Sequence, residues 1–266
     1  MCFDPDSHPP IEPIAGAAIE HRVLELQAAD GNGLGAFHAL AEAPSGVGML
    51  VLPDVRGLFP YYEELAMRFA ERGVDSLAID YYGRTAGPAR RDASFESAPH
   101  TERCTWAGLQ ADVDAGATAI RASGRVRQLY SVGFCFGGRL SFLLSSLPRL
   151  ELHGVVGFYG WPVGSSRGGM PAPTDIAPHM TVPLLGLFGG ADAGISAADV
   201  ATFEQALRAS ALPHRVVIYP GAPHSFFDRK QAEHADTSGQ AWSEVLDFIG
   251  RGGAPAAYAP FSRSSS

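Results

Sequence analysis

The run Gly133-Phe134-Cys135-Phe136-Gly137-Gly138 sets a thiol between glycines, at the junction of an apolar stretch and a helical pattern. A residue at the apex of a sharp strand-to-helix turn sits in strained backbone, and its neighbours must be glycine because side chains there would collide with adjoining elements. The apex side chain is thereby pushed out over the sheet. The helix that starts at such a turn aims its unpaired N–H groups and positive dipole end at the apex, which favours a thiolate and a developing oxyanion. An ordinary thiol is only a few per cent ionised at neutral pH, so Cys135 needs a base.

Two later loops supply the missing groups. The apolar run from Leu184 to Phe188 ends in Gly189-Gly190-Ala191-Asp192, and the run from Arg215 to Tyr219 ends in Pro220-Gly221-Ala222-Pro223-His224. Nucleophile, acid and histidine in that chain order, each after its own strand, form a triad of the acyl-transfer type. His224 would take the Cys135 proton and return it to a leaving oxygen, while Asp192 fixes its tautomer. The expected oxyanion donors are the N–H of Phe136 and, from the loop after Gly48 to Pro53, that of Val55. Of the nine histidines, only His224 has the strand-then-turn setting. Cys2 falls in an irregular arm and Cys104 precedes a helix, so neither is expected to react.

The elements that must hold these groups are legible as alternation. Ile19 to Gln27 and Gly35 to Ala41 flank Asp30-Gly31-Asn32-Gly33, whose glycines are expected at positive φ in an antiparallel hairpin. Strands then alternate with helices: strands from Gly48, Val74, Val126, Gly154, Leu184 and Arg215, and helices from Tyr61, Trp106, Gly137, Ala197 and Gly239. Met49-Leu50-Val51-Leu52 has no polar alternation, as expected of a strand covered on both faces. In such sheets the reactive groups gather at the carboxyl ends of the strands. The expected organisation is an irregular arm over 1–18, one domain over 19–251 and a flexible tail over 252–266. Residues 160–180, with Trp161, Gly168-Gly169 and Pro171, form a long irregular segment that suits a lid or pocket wall.

The composition sets limits. With 46% hydrophobic and 18% charged residues, a large packed core is feasible, and a net charge of −8 gives no reason to expect nucleic acid or an anionic membrane as partner. Three cysteines at wide spacing fit neither a disulfide framework nor a zinc site. No run nears the roughly 18 apolar residues of a membrane span, and the N-terminus lacks the basic and apolar regions of a secretory leader. A cytoplasmic location is expected.

These motifs resemble those of the dienelactone hydrolase family, the cysteine branch of the α/β-hydrolases. The residues that carry the likeness are Gly133 to Gly138, Gly190-Ala191-Asp192 and Gly221-Ala222-Pro223-His224-Ser225-Phe226, within a span of about 45–250. The resemblance implies an α/β-hydrolase fold, with a mostly parallel central sheet, an N-terminal antiparallel hairpin and helices on both faces. It also implies hydrolysis of a cyclic enol-lactone or another small ester without metal or organic cofactor. In the family's best-known form a glutamate contacts the resting thiol where this chain has Asp54, one methylene shorter. Arginines there clamp a substrate carboxylate; Arg84 resembles one of them, and Arg56 is a second candidate. The other is expected four residues past the histidine, where Asp228 stands, with Arg229 next. Two other readings share these residues: a non-catalytic ligand-binding relative, and an acyl transferase or peptide-cleaving enzyme using the same triad.

Overall fold

The computed structural model of the chain describes residues 7–228, 230 and 232–254. Most of the expected tail, the first six residues and Arg229 lie outside them. Eight strands form one sheet: β1 (Ile19–Gln27), β2 (Gly33–Ala41), β3 (Val47–Leu52), β4 (Val74–Ile79), β5 (Gln128–Phe134), β6 (Leu152–Phe158), β7 (Leu184–Gly189) and β8 (His214–Tyr219). Their order is β1-β2-β4-β3-β5-β6-β7-β8, antiparallel from β1 to β2 and from β2 to β4, and parallel across the rest. The helices are α1 (Pro60–Ala70), α2 (Gly83–Ala86), α3 (Ala98–Thr101), α4 (Trp106–Arg121), α5 (Phe136–Leu144), α6 (Pro173–Ile176), α7 (Ala197–Ala209) and α8 (Ala235–Gly250). This is an α/β-hydrolase fold with helices on both faces of the sheet.

Local chemistry explains where the elements begin. Pro60 opens α1 with a preset φ, and the Thr105 hydroxyl accepts the Gly108 N–H at the start of α4. Ser196 and Asp199 cap α7 reciprocally, each side chain bonding the other's backbone N–H. The strands β3 and β5 are buried almost along their whole length, and their unbroken apolar character follows from helix cover on both faces. Beneath the carboxyl edge lies an aromatic cluster, with Phe134 stacked on Phe158 at 4.8 Å and on Phe227 at 5.7 Å.

Several boundaries differ from expectation. Only Gly31 of the hairpin turn has positive φ (86°), while Gly33 is already the first residue of β2. The short helices α2, α3 and α6 carry no sequence signal, because four residues are too few to form a helix on local propensity and are held by tertiary contacts instead. Residues 7–18 contain turns but no strand or α-helix, and they lie against α1, where Ile14 N–H donates to Glu71 at 3.1 Å. Among the described residues no helix is long and apolar enough to cross a membrane.

The chain lays down β3, places β4 on one side of it and then crosses to place β5 on the other. Such a reversal opens a crevice at the carboxyl ends of the strands on either side. Asp54 follows β3, Cys135 follows β5, Tyr159 follows β6, Asp192 follows β7 and His224 follows β8.

Candidate active site

Cys135 is the residue between β5 and α5, and its backbone has φ 55° and ψ −109°. An L-residue held there costs about 1–3 kcal/mol, so the surroundings must over-determine it. Its N–H donates to the Phe158 carbonyl at 3.0 Å, and its own carbonyl accepts the Arg139 N–H at 3.1 Å. The flanking glycines are steric necessities. A Cβ on Gly133 would lie 1.9 Å from the Gly137 carbonyl oxygen, and one on Gly137 would lie 2.1 Å from that of Leu52. Only bare backbone lets α5 dock this closely on β3 and β5.

His224 reaches the same place from β8. Its Nδ1 is 2.7 Å from Asp192 Oδ2, which leaves Nε2 unspent, with the Cys135 thiol near enough to act on the ring. The imidazole touches two aromatic rings, with centroids 4.9 Å away for Tyr159 and 4.7 Å for Trp161. The second oxygen of Asp192 accepts the N–H groups of Gly194 (2.8 Å) and Ile195 (3.1 Å), so the carboxylate is fixed at both ends. Burial of the His224 ring works against its charge. The bond to Asp192, then the nearby Cys135 thiol and the charges of both partners, outweigh it and push the pKa up to about 10. Burial likewise works against the Asp192 charge, but His224 and the two N–H groups hold its pKa below the ordinary carboxylate value. Of the three residues singled out in the sequence, Asp192 and His224 are thus hydrogen-bonded, and Cys135 lies near enough to help raise the histidine pKa.

The loop after β3 is gripped by three tyrosines. Tyr81 hydroxyl donates to the Pro53 carbonyl at 3.0 Å, Tyr82 hydroxyl donates to the Val55 carbonyl, and Tyr62 hydroxyl accepts the Asp54 N–H at 3.1 Å. Asp54 is fully buried, and its Oδ1 accepts the Arg56 N–H at 2.8 Å, the bond of a turn that its short side chain closes on its own loop. The Val55 and Phe136 N–H groups make no hydrogen bond among the described residues, so both donors stay available.

The structure places Arg84 away from this cluster. Its guanidinium bridges Asp30 in the hairpin turn and Asp112 of α4 (2.8 Å), and it donates to the Gly108 carbonyl at 3.2 Å. Its charge is thus already balanced by two carboxylates. Arg56 lies with its guanidinium 4.2 Å from the centre of the Phe59 ring. Sequence reasoning missed Tyr159, the three tyrosines and Arg139, and had Trp161 only as part of the 160–180 segment. Tyr159 could have been found, since it directly follows β6 at the edge where the other groups gather. Arg139 also left a trace, as a lone charge in the otherwise apolar start of a helix.

A profile of the dienelactone hydrolase family matches residues 34–252, from the second strand of the hairpin to the end of α8. The chain belongs to the dienelactone hydrolase family. It is 30% identical to the "Putative carboxymethylenebutenolidase" of Yersinia pestis, over 78% of this chain and 79% of that one. The protein of the same name in Escherichia coli K12 is 29% identical over 82% of this chain and 83% of its own length. A crystal structure from Klebsiella pneumoniae, titled a putative dienelactone hydrolase, superposes with a TM-score of 0.76 at 27% identity, covering 88% of this chain and 99% of that one. As a dienelactone hydrolase family member, the chain carries the family profile through all three of the loops that bring Cys135, Asp192 and His224 together.

Proposed function

We propose that this protein is a carboxylic ester hydrolase that opens a lactone or small ester through a Cys135–His224–Asp192 triad and an acyl-thioester. The observation that carries the reading is the placing of His224, bonded at Nδ1 to Asp192 and near enough to the thiol of a positive-φ elbow for Cys135 to raise its pKa.

The Cys135 thiolate attacks the carbonyl carbon, and the carbonyl electrons move to oxygen, where the Phe136 and Val55 N–H groups receive the charge. The carbon–oxygen bond to the leaving group then breaks, and His224 gives its proton to that oxygen. In a lactone the leaving oxygen stays tethered to the acyl group. Water next attacks the thioester carbon while His224 takes its proton, and the acid departs as the thiol is restored. Asp192 keeps the ring in the productive tautomer throughout. Asp54 acts by shaping the turn that presents Val55, and Arg84 belongs to the scaffold rather than to a carboxylate clamp. The relatives' name makes dienelactone the first substrate to try. The reading includes a reducing, cytoplasmic setting, which keeps Cys135 and Cys104 as the free thiols they are.

The test is hydrolysis of dienelactone and p-nitrophenyl acetate with and without iodoacetamide, with mass spectrometry locating the label. Label on Cys135 should abolish both activities. Turnover that survives complete labelling of Cys135 would make the elbow structural and end the thioester mechanism.

A further inference from the structure

Arg139 stands in the first turn of α5, one turn beyond Cys135, and is 2% exposed. Its guanidinium donates to five main-chain carbonyls: Trp161 (3.2 Å), Val163 (3.2 Å), Gly164 (2.7 Å), Met170 (3.1 Å) and Pro171 (2.8 Å). Among the described residues no carboxylate is hydrogen-bonded to it, although Asp175 lies near enough for its charge to be felt. Burying an uncompensated guanidinium is costly, so the five carbonyls are what make it tolerable. A lysine, with three donors on a point charge, could not span them.

The gathered carbonyls belong to the segment expected to be a lid or wall, and it is tied down as a wall. Near its start, Trp161 connects to the acid and the base. The indole N–H donates to the Gly194 carbonyl at 3.1 Å, Gly194 N–H donates to Asp192 at 2.8 Å, and the Trp161 ring faces His224. The Arg139 guanidinium thus reaches His224 through Trp161, while its main chain is tied to Cys135 by the helix itself. The charged or titratable groups acting on His224 are Asp192 and Cys135, and neither touches Arg139 through its side chain.

We propose that Arg139 is a positioning residue, which fixes Trp161 against the imidazole and so sets how His224 meets the Cys135 thiol. This rests on the thiol-nucleophile reading above. Because Arg139 rides on the helix that begins at Cys135, one rigid element carries both the sulfur and the anchor of the ring that steadies its base. Loosening the anchor lets the imidazole tilt, and its approach to the sulfur is lost before substrate binding is.

The test uses the full chain and the variants Arg139→Met, Arg139→Lys and Trp161→Leu, with thermal melting to show which are folded. Three quantities are read: kcat and KM for p-nitrophenyl acetate, and the pH midpoint of Cys135 alkylation, which does not depend on access to the thiol. Arg139→Met and Trp161→Leu should each lower kcat about tenfold and raise the alkylation midpoint by about one pH unit, with KM little changed. Arg139→Lys should recover part of both, and the Met/Leu double variant should be no worse than the poorer single. A folded Arg139→Met with unaltered kcat and midpoint, or with its loss confined to KM, overturns the proposal. Should Arg139→Met not fold, Trp161→Leu decides, and an unchanged midpoint there overturns it too. The alkylation midpoints read the positioning even if labelled wild-type enzyme still turns over, so failure of the nucleophile reading is seen separately.

Discussion

Trp161 and Asp192 both bond to Gly194, the indole to its carbonyl at 3.1 Å and the carboxylate to its N–H at 2.8 Å, so one glycine ties the aromatic cover of His224 to its acid partner. A Cβ at Gly194 would lie 2.7 Å from the Trp161 ring, which is why the position is bare. Asp192 is therefore held independently of the histidine it orients.

Asp192→Asn tests that orientation. The amide keeps the size of the side chain but cannot stabilise an imidazolium, so the thiolate is lost at neutral pH. A fall in kcat of about a thousandfold or more is expected, by analogy with triads in general, alongside a matching fall in Cys135 alkylation. Activity within tenfold of wild type would show that Asp192 is not part of the reaction.

The His224 pKa is raised to about 10 partly by Cys135, so removing the sulfur must lower it. In Cys135→Ala, histidine NMR should place the His224 titration well below about 10, though still supported by Asp192. The same shift has a stability consequence with a definite sign. The folded-state pKa exceeds the unfolded value of 6.5, so the stabilisation is complete below 6.5 and disappears as pH climbs through about 10. Chemical denaturation at pH 6 and 10 should show wild type losing more stability across that interval than His224→Gln.

Tyr82→Phe removes a buried hydroxyl that serves both the Val55 carbonyl and Thr101 Oγ1, the latter at 2.7 Å. The cost should be about 1–2 kcal/mol of stability, read from denaturant melts. Because Val55 offers an oxyanion donor in the proposed mechanism, kcat should fall about tenfold with little change in KM. An unchanged kcat would remove Val55 from that role.

Arg84→Ala separates scaffold from clamp. Asp112 has a side chain only 1% exposed, and burial pushes its pKa up to about 6 even with Asn32 and Arg84 bonded to it. Without Arg84 its charge is harder to carry, so roughly 2–3 kcal/mol of stability should be lost at pH 8. The loss should shrink at pH 5, where the carboxyl takes up a proton instead. KM for dienelactone should change no more than KM for an uncharged ester, and a selective rise for dienelactone would restore Arg84 as a substrate ligand.

The strand order could be anticipated only in outline, but the residues at the carboxyl edge were readable because their signals are local. An elbow needs Gly133 and Gly137 for steric reasons that leave a spaced motif, and Asp192 and His224 each follow an apolar run by a short glycine-bearing turn. Arg84 was misjudged for the opposite reason. Its partners Asp30 and Asp112 are 54 and 28 residues away in the chain, and no local pattern announces them. The grip on Val55 was likewise hidden, since Tyr62, Tyr81 and Tyr82 come from two different segments and read simply as aromatic core. Arg139 shows the limit of polarity as a guide, because its partners are main-chain carbonyls and carry no residue type to look for.

The three side chains of the proposed triad hang from β5, β7 and β8, which join the sheet side by side with β6 between the first two. Their contacts close loops of tens of residues, so they form only as the non-local pairing of the parallel sheet is completed. Until then Cys135 has neither its helix nor its imidazole, and it is as sluggish as any cysteine in a random coil. In the proposed mechanism reactivity is in this way a property of the finished sheet, gained only when the strand pairing that brings the three loops together is complete.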